Sequence, residues 1–235
     1  MRALLWKEWR EKRLLVVLAP VASILGFVVS LVQSPHYLDR ACSDGLVVAS
    51  LMWPVFALLI GAGMMANERD RGTHPFLLSQ PIPRSRLWLA KLTAQIAVLC
   101  IGMLISVGVC AGMSAFLAPQ AVLMRDSSDM RLSAFLTVNF FAGAVLVSSF
   151  SARPLITIAG GLLVGLLMAL LEVGMLLGLA GVLFLTLSIR HIGDIAVVCT
   201  MASLSAVFAV FALGLSRALI LSDEVGRTNW LTRWS

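Results

Sequence analysis

At 235 residues, with 60% hydrophobic and only 13% charged residues, the chain is too apolar to wrap a wettable surface around a soluble core. It reads instead as an all-α integral membrane protein, in which each span needs about 20 mostly apolar residues to cross about 30 Å of hydrocarbon. The formal charge of +6 sits in clusters beside apolar segments, the pattern that orients a membrane protein, and not in a patch suited to nucleic acid.

Residues 2–13 (Arg-Ala-Leu-Leu-Trp-Lys-Glu-Trp-Arg-Glu-Lys-Arg) predict an amphipathic interfacial helix. Leu5, Trp6 and Trp9 share one side of it, Lys7, Arg10 and Glu11 take the other, and Glu8 and Lys12 form a favourable i,i+4 pair. Lys12 and Arg13 flank the apolar side with stems long enough to snorkel. Span one is predicted at 14–32; it is longer than the core of a signal peptide and no small-x-small cleavage site follows, so it is expected to stay in place. A polar loop over 33–45 leads to span two at 46–66, whose Gly61-Ala62-Gly63 lets another helix approach closely. After a polar segment at 67–88, span three is predicted at 89–118, an external loop at 119–131 and span four at 132–150. Ser-Ala-Arg-Pro at 151–154 predicts a tight turn, because proline disfavours helical geometry in the residue before it.

The 35 residues of 155–189 carry a single charge, Glu172. As straight helix they would be about 52 Å long, too long for one crossing and short for two with a turn. The expectation is a span at 155–172, then a re-entrant hairpin at 173–193 turning through Gly174, Gly178 and Gly181, then span six at 194–221 and a tail at 222–235. With six spans and both termini inside, fourteen of the eighteen Lys and Arg residues lie on the internal side. Arg40, Arg125, Arg131 and Arg190 lie outside. A seven-span arrangement would move the tail arginines outside, and we reject it on that count.

A search for catalytic chemistry is negative. No Gly-x-x-x-x-Gly-Lys-Ser/Thr loop is present to bind ATP, and no His-Glu-x-x-His or paired-cysteine metal site. Cys100, Cys110 and Cys199 lie in apolar runs and read as small packing residues, while Cys42 stands alone in a polar loop. Glu172 is the one carboxylate in the hydrophobic interior of the sequence, a functional candidate by its chemistry, with a helix end or turn at the external interface as the simpler reading. Asn139, Gln95 and the Ser148-Ser149-Ser151 cluster could line a pathway or hydrogen-bond a neighbouring helix. Gly-x-x-x-Gly pairs at 108/112, 161/165 and 174/178 imply close helix approaches without saying which.

The segment 67–88 exceeds what an orienting basic loop requires. Charges of both signs, Glu68 to Arg71, follow a span within one helical turn, and Gly72-Thr73 supplies a break and a capping residue. Phe76-Leu77-Leu78 is an apolar knob in a water-facing loop, the mark of a docking surface. Ser79 follows, Pro81 and Pro83 stiffen the exit, and Arg84 and Arg86 precede the next helix.

Read as Glu-x-x-x-Gly-Thr, Leu-Leu-Ser, Pro-x-x-Arg and a later Lys, the residues Glu68, Gly72, Thr73, Leu77, Leu78, Ser79, Pro81, Arg84 and Lys91 resemble the coupling segment of type 2 ABC transporter permeases, an exporter-like family. Lys-Glu-Trp-Arg at 7–10 resembles that family's elbow helix. His74-Pro75 departs from the pattern and suggests a shorter or kinked coupling helix, and the short external loops are unlike those of permeases with large extracytoplasmic domains. The resemblance implies a non-catalytic, multi-pass subunit of the inner (plasma) membrane, working as an exporter with a second permease copy, identical or related. It implies two ATP-binding cassette ATPase subunits that bind the ATP and magnesium, no cofactor or metal in this chain, and a pathway along spans one, two and five closed outside by the re-entrant segment. The rival reading is an ion-coupled secondary transporter with Glu172 as coupling carboxylate; it would call for several intramembrane charges and repeated halves, and the chain has one such charge and no clear repeat.

Overall fold

A computed structural model describes residues 2–33, 38–70, 83–118, 128–151, 153–187 and 194–231. All regular structure in these residues is helical. The elements are α1 (Arg2–Gln33), α2 (Leu38–Ala62), α3 (Ala66–Asp70), α4 (Arg84–Leu117), α5 (Ser128–Ser148), α6 (Pro154–Leu187) and α7 (Asp194–Leu231). Six of them, all but α3, contain stretches long and apolar enough to cross a membrane.

Several boundaries differ from the sequence reading, each for a local reason. The expected elbow at 2–13 and span one at 14–32 are one helix, with no break between them. No glycine or proline occurs before Pro20, so nothing interrupts backbone hydrogen bonding there. α2 begins at Leu38, inside the stretch expected to be a polar loop, with Asp39 in its first turn, where a negative charge favours the helix dipole. The turn expected through Gly174, Gly178 and Gly181 in the re-entrant hairpin at 173–193 is not formed among the described residues: α6 continues as helix to Leu187, and 188–193 lie outside the described residues. A glycine costs about 1 kcal/mol in a helix interior. A turn within an apolar stretch would strand backbone donors and acceptors at several kcal/mol each, so the helix continues. The expected tail at 222–235 is helical as far as Leu231, as the end of α7.

The chain divides into two compact units. One comprises residues 1–60 and 89–137, the other residues 61–88 and 138–235. In the first unit, Phe27, Cys42, Leu46, Ala49, Cys110 and Ala118 form a buried cluster. Gly45 allows it, since a Cβ there would stand 2.7 Å from the Phe27 ring. Pro54 lies within α2 and has no N–H, which leaves the Ser50 carbonyl without its helical donor; the Ser133 hydroxyl donates to that carbonyl instead. A proline inside an apolar helix is thus compensated by a neighbouring hydroxyl.

In the second unit, α3 packs against α6 and α6 against α7. Ala142, Met168 and Ala212 form its core cluster. α5 and α6 meet through small residues: a Cβ on Gly161 would stand 2.7 Å from the Ala144 Cα, and one on Gly165 would stand 2.6 Å from the Phe140 ring. Among the described glycines of the three Gly-x-x-x-Gly pairs, Gly161 and Gly165 meet a neighbouring helix, while Gly108, Gly112 and Gly174 face open space. The outer faces of α6 and α7 are broadly apolar and exposed, including Leu155, Leu163, Leu170, Val207, Val210 and Phe211. Because lipid is as apolar as leucine, these faces need no cover, and packing and polar contacts hold the helices together.

Candidate functional site

The helices flanking the 67–88 segment position its ends. Upstream, α2 closes with a turn in which the Met64 amide donates to the Gly61 carbonyl at 3.1 Å, and Glu68 lies buried on α3. Downstream, the Pro83 carbonyl accepts from the amides of Arg86 and Leu87 at 2.9 and 3.2 Å and starts α4, with Arg84 half-buried in its first turn. Arg71, Gly72, Thr73, Phe76, Leu77, Leu78, Ser79 and Pro81 lie outside the described residues. On α1, Trp6 and Trp9 are exposed, at 68% and 36%.

Lys12 does not snorkel outward. It is buried, and its ammonium donates to the side-chain oxygen of Gln95 at 2.6 Å while the Gln95 amide nitrogen donates to the Ile60 carbonyl at 2.8 Å. The opposite amide orientation would set donor against donor and acceptor against acceptor, so this one is assigned from the hydrogen bonds. The contact joins the first turns of α1 to the end of α2 and the first third of α4. Gln95 is a helix-to-helix linker and not an open pathway residue.

A second polar contact lies in the other unit. Glu172 is 2% exposed and sits well inside α6, not at a helix end or turn as the simpler sequence reading had it. Its Oε2 accepts from the Asn139 amide at 3.3 Å and from the Ser205 hydroxyl at 2.7 Å. Its Oε1 has no hydrogen-bond partner. Asn139 falls at the middle of the apolar stretch Arg131–Ser148 of α5 and Ser205 lies on α7, so the carboxylate is held among α5, α6 and α7. Sequence reasoning marked Glu172 and Asn139 separately and missed their pairing. The available signal was that each is the one strongly polar residue in its apolar run and so requires a partner.

No group of three or more His, Cys, Asp or Glu side chains that could hold a metal occurs among the described residues. Two small cavities among the described residues lie in the first unit; both are bounded by Trp53 and Ser106 and are otherwise mostly apolar.

Six helices long and apolar enough to cross a membrane define a multi-pass membrane protein. The sequence pattern of the ABC-2 family transporter proteins matches residues 14–222, and the chain belongs to that family. No curated protein matches the sequence significantly. Membership makes the chain an ABC transporter permease of the ABC-2 class and does not favour the ion-coupled alternative built on Glu172.

Proposed function

We propose that this chain is the membrane-spanning subunit of an ATP-driven exporter, working as two permease copies with two ATP-binding cassette ATPase subunits. The observation that carries this reading is family membership over residues 14–222, supported by the segment 67–88, the polar interruption whose residues resemble the family's coupling segment. In this reading both termini and residues 67–88 face the cytoplasm of a plasma (inner) membrane, and ATP and magnesium are bound by the partner. Glu68, Arg71, Gly72, Thr73 and Arg84 set the ends of the coupling element, and Phe76, Leu77, Leu78 and Ser79 make its docking knob, with Pro81 stiffening the exit. Leu5, Trp6 and Trp9 anchor the start of α1 at the bilayer surface.

The chain has no phosphate-binding loop, so energy has to arrive from a partner, and an apolar knob is the surface suited to receive it. Burying one such side chain is worth about 1.5–3 kcal/mol. Truncating Phe76 and Leu77 to alanine is therefore expected to weaken ATPase docking by about tenfold or more, with the permease still folded. The measurement is recovery of the ATPase with wild-type and Phe76→Ala/Leu77→Ala permease in detergent. Equal recovery of both, with equal ATP turnover, would sink the docking role.

A further inference from the structure

Both flanks of the coupling segment lead to the same short stretch of one helix. Upstream, Gly61 at the end of α2 lies so close to α5 that a Cβ on it would stand 2.9 Å from the Ala144 Cβ and from the Phe141 carbonyl oxygen, and 3.4 Å from the Val145 amide nitrogen. Downstream, Trp88 in the first turns of α4 donates its indole N–H to the Ser216 hydroxyl on α7 at 3.3 Å. The Ser216 and Ser149 hydroxyl oxygens are 2.5 Å apart, and Ser149 donates to the Val145 carbonyl at 3.0 Å.

The direction of these hydrogen bonds is determined. An indole nitrogen only donates, so Ser216 accepts from Trp88. The single proton of Ser149 goes to Val145, so Ser216 donates to Ser149. The chain therefore runs from Trp88 N–H through the Ser216 and Ser149 hydroxyls to the Val145 carbonyl, and each hydroxyl gives one bond and takes one. All three side chains are buried, where such bonds polarise one another and a broken one is not replaced by water. Residues 61–88 and 138–235, which contain every group named here, form a single compact unit.

We infer that residues 141–149, the end of α5 and the first residue of the turn after it, receive the coupling stroke, and that Trp88, Ser216 and Ser149 are positioning residues that deliver it. A displacement of the segment pulls on α5 at Phe141, Ala144 and Val145 from one side and, through Ser149 just beyond its end, at Val145 from the other, and carries α7 with it through Ser216. Close-packed contacts transmit displacement because the interior has no slack to absorb it. The inference rests on the coupling role proposed above for residues 67–88.

The test compares the wild-type complex with its ATP-binding cassette partner, in nanodiscs, with Trp88→Phe, Ser216→Ala and the double variant. Trp88→Phe keeps a large ring and removes the N–H; Ser216→Ala breaks the same chain without touching the ring, should the first variant fold poorly. ATPase recovery is expected to be unchanged. ATP turnover per bound ATPase is expected to fall about fivefold in each single variant, the equivalent of about 1 kcal/mol for one hydrogen bond. The double variant should fall no further than the singles, because one missing link already opens the chain. A spin label at Val138→Cys on α5 should change its spectrum on ATP addition in the wild type and lose that change in the variants, which a purely structural role would not produce. Unchanged turnover with a full spectral response, additive losses in the double variant, or loss of ATPase recovery would each overturn the inference while leaving the docking role of 67–88 intact. A wild-type permease that binds no ATPase would overturn both.

Discussion

Glu172 shows how a single residue is accommodated in an apolar bundle. An isolated charge at membrane depth is costly, and such residues survive by facing the bundle interior and finding partners. Here two neutral donors from two other helices, Asn139 and Ser205, converge on one carboxylate oxygen. Replacing Glu172 with leucine leaves both donors without that acceptor, and replacing Asn139 with leucine removes one of the two. Each change is expected to cost about 1–3 kcal/mol. The double variant should cost less than the sum of the singles, because it removes both partners of the same contact. Thermal unfolding of the four proteins in detergent measures this; strictly additive losses would show that the 3.3 Å contact carries no coupling energy.

Between elements, the glycines separate contact from composition. Gly161 and Gly165 are where α5 and α6 approach, and a methyl group at either meets backbone or a ring at under 3 Å. Gly161→Ala is expected to overpack this contact and destabilise the chain by about 1–3 kcal/mol. Gly108→Ala and Gly112→Ala place their methyl groups in open space and improve helix propensity, so they are expected to stabilise it by up to about 1 kcal/mol. The readout is again the unfolding midpoint in detergent. A loss at Gly108 or Gly112 would show that another chain covers that face of α4.

For the whole molecule, the fourteen-to-four division of Lys and Arg predicts the sidedness of every connection. In a cysteine-free background, cysteines at Ser79 and Ser128 are expected to react with a membrane-impermeant maleimide from opposite sides, the first from the cytoplasm and the second from outside. Labelling of both from outside would invert or break the topology and with it the access of an ATPase to residues 67–88.

The class of the protein and its apolar crossing helices were legible in the sequence, because both depend on local quantities such as apolar run length and the order of residues along the chain. Which polar residues pair was not. Lys12 with Gln95, Asn139 with Glu172 and Ser133 with the carbonyl freed by Pro54 each join separate helices, and a residue's need for a partner does not say where that partner is. The path of residues 173–187 was misread for a related reason. Glycine spacing suggested a turn, but in an apolar stretch the helix satisfies its own backbone and a turn does not. The Gly-x-x-x-Gly pairs at 108/112 and 161/165 look alike in sequence, and only the packing of α5 on α6 decides that 161/165 meets a neighbour, since small residues permit a close approach without specifying what approaches.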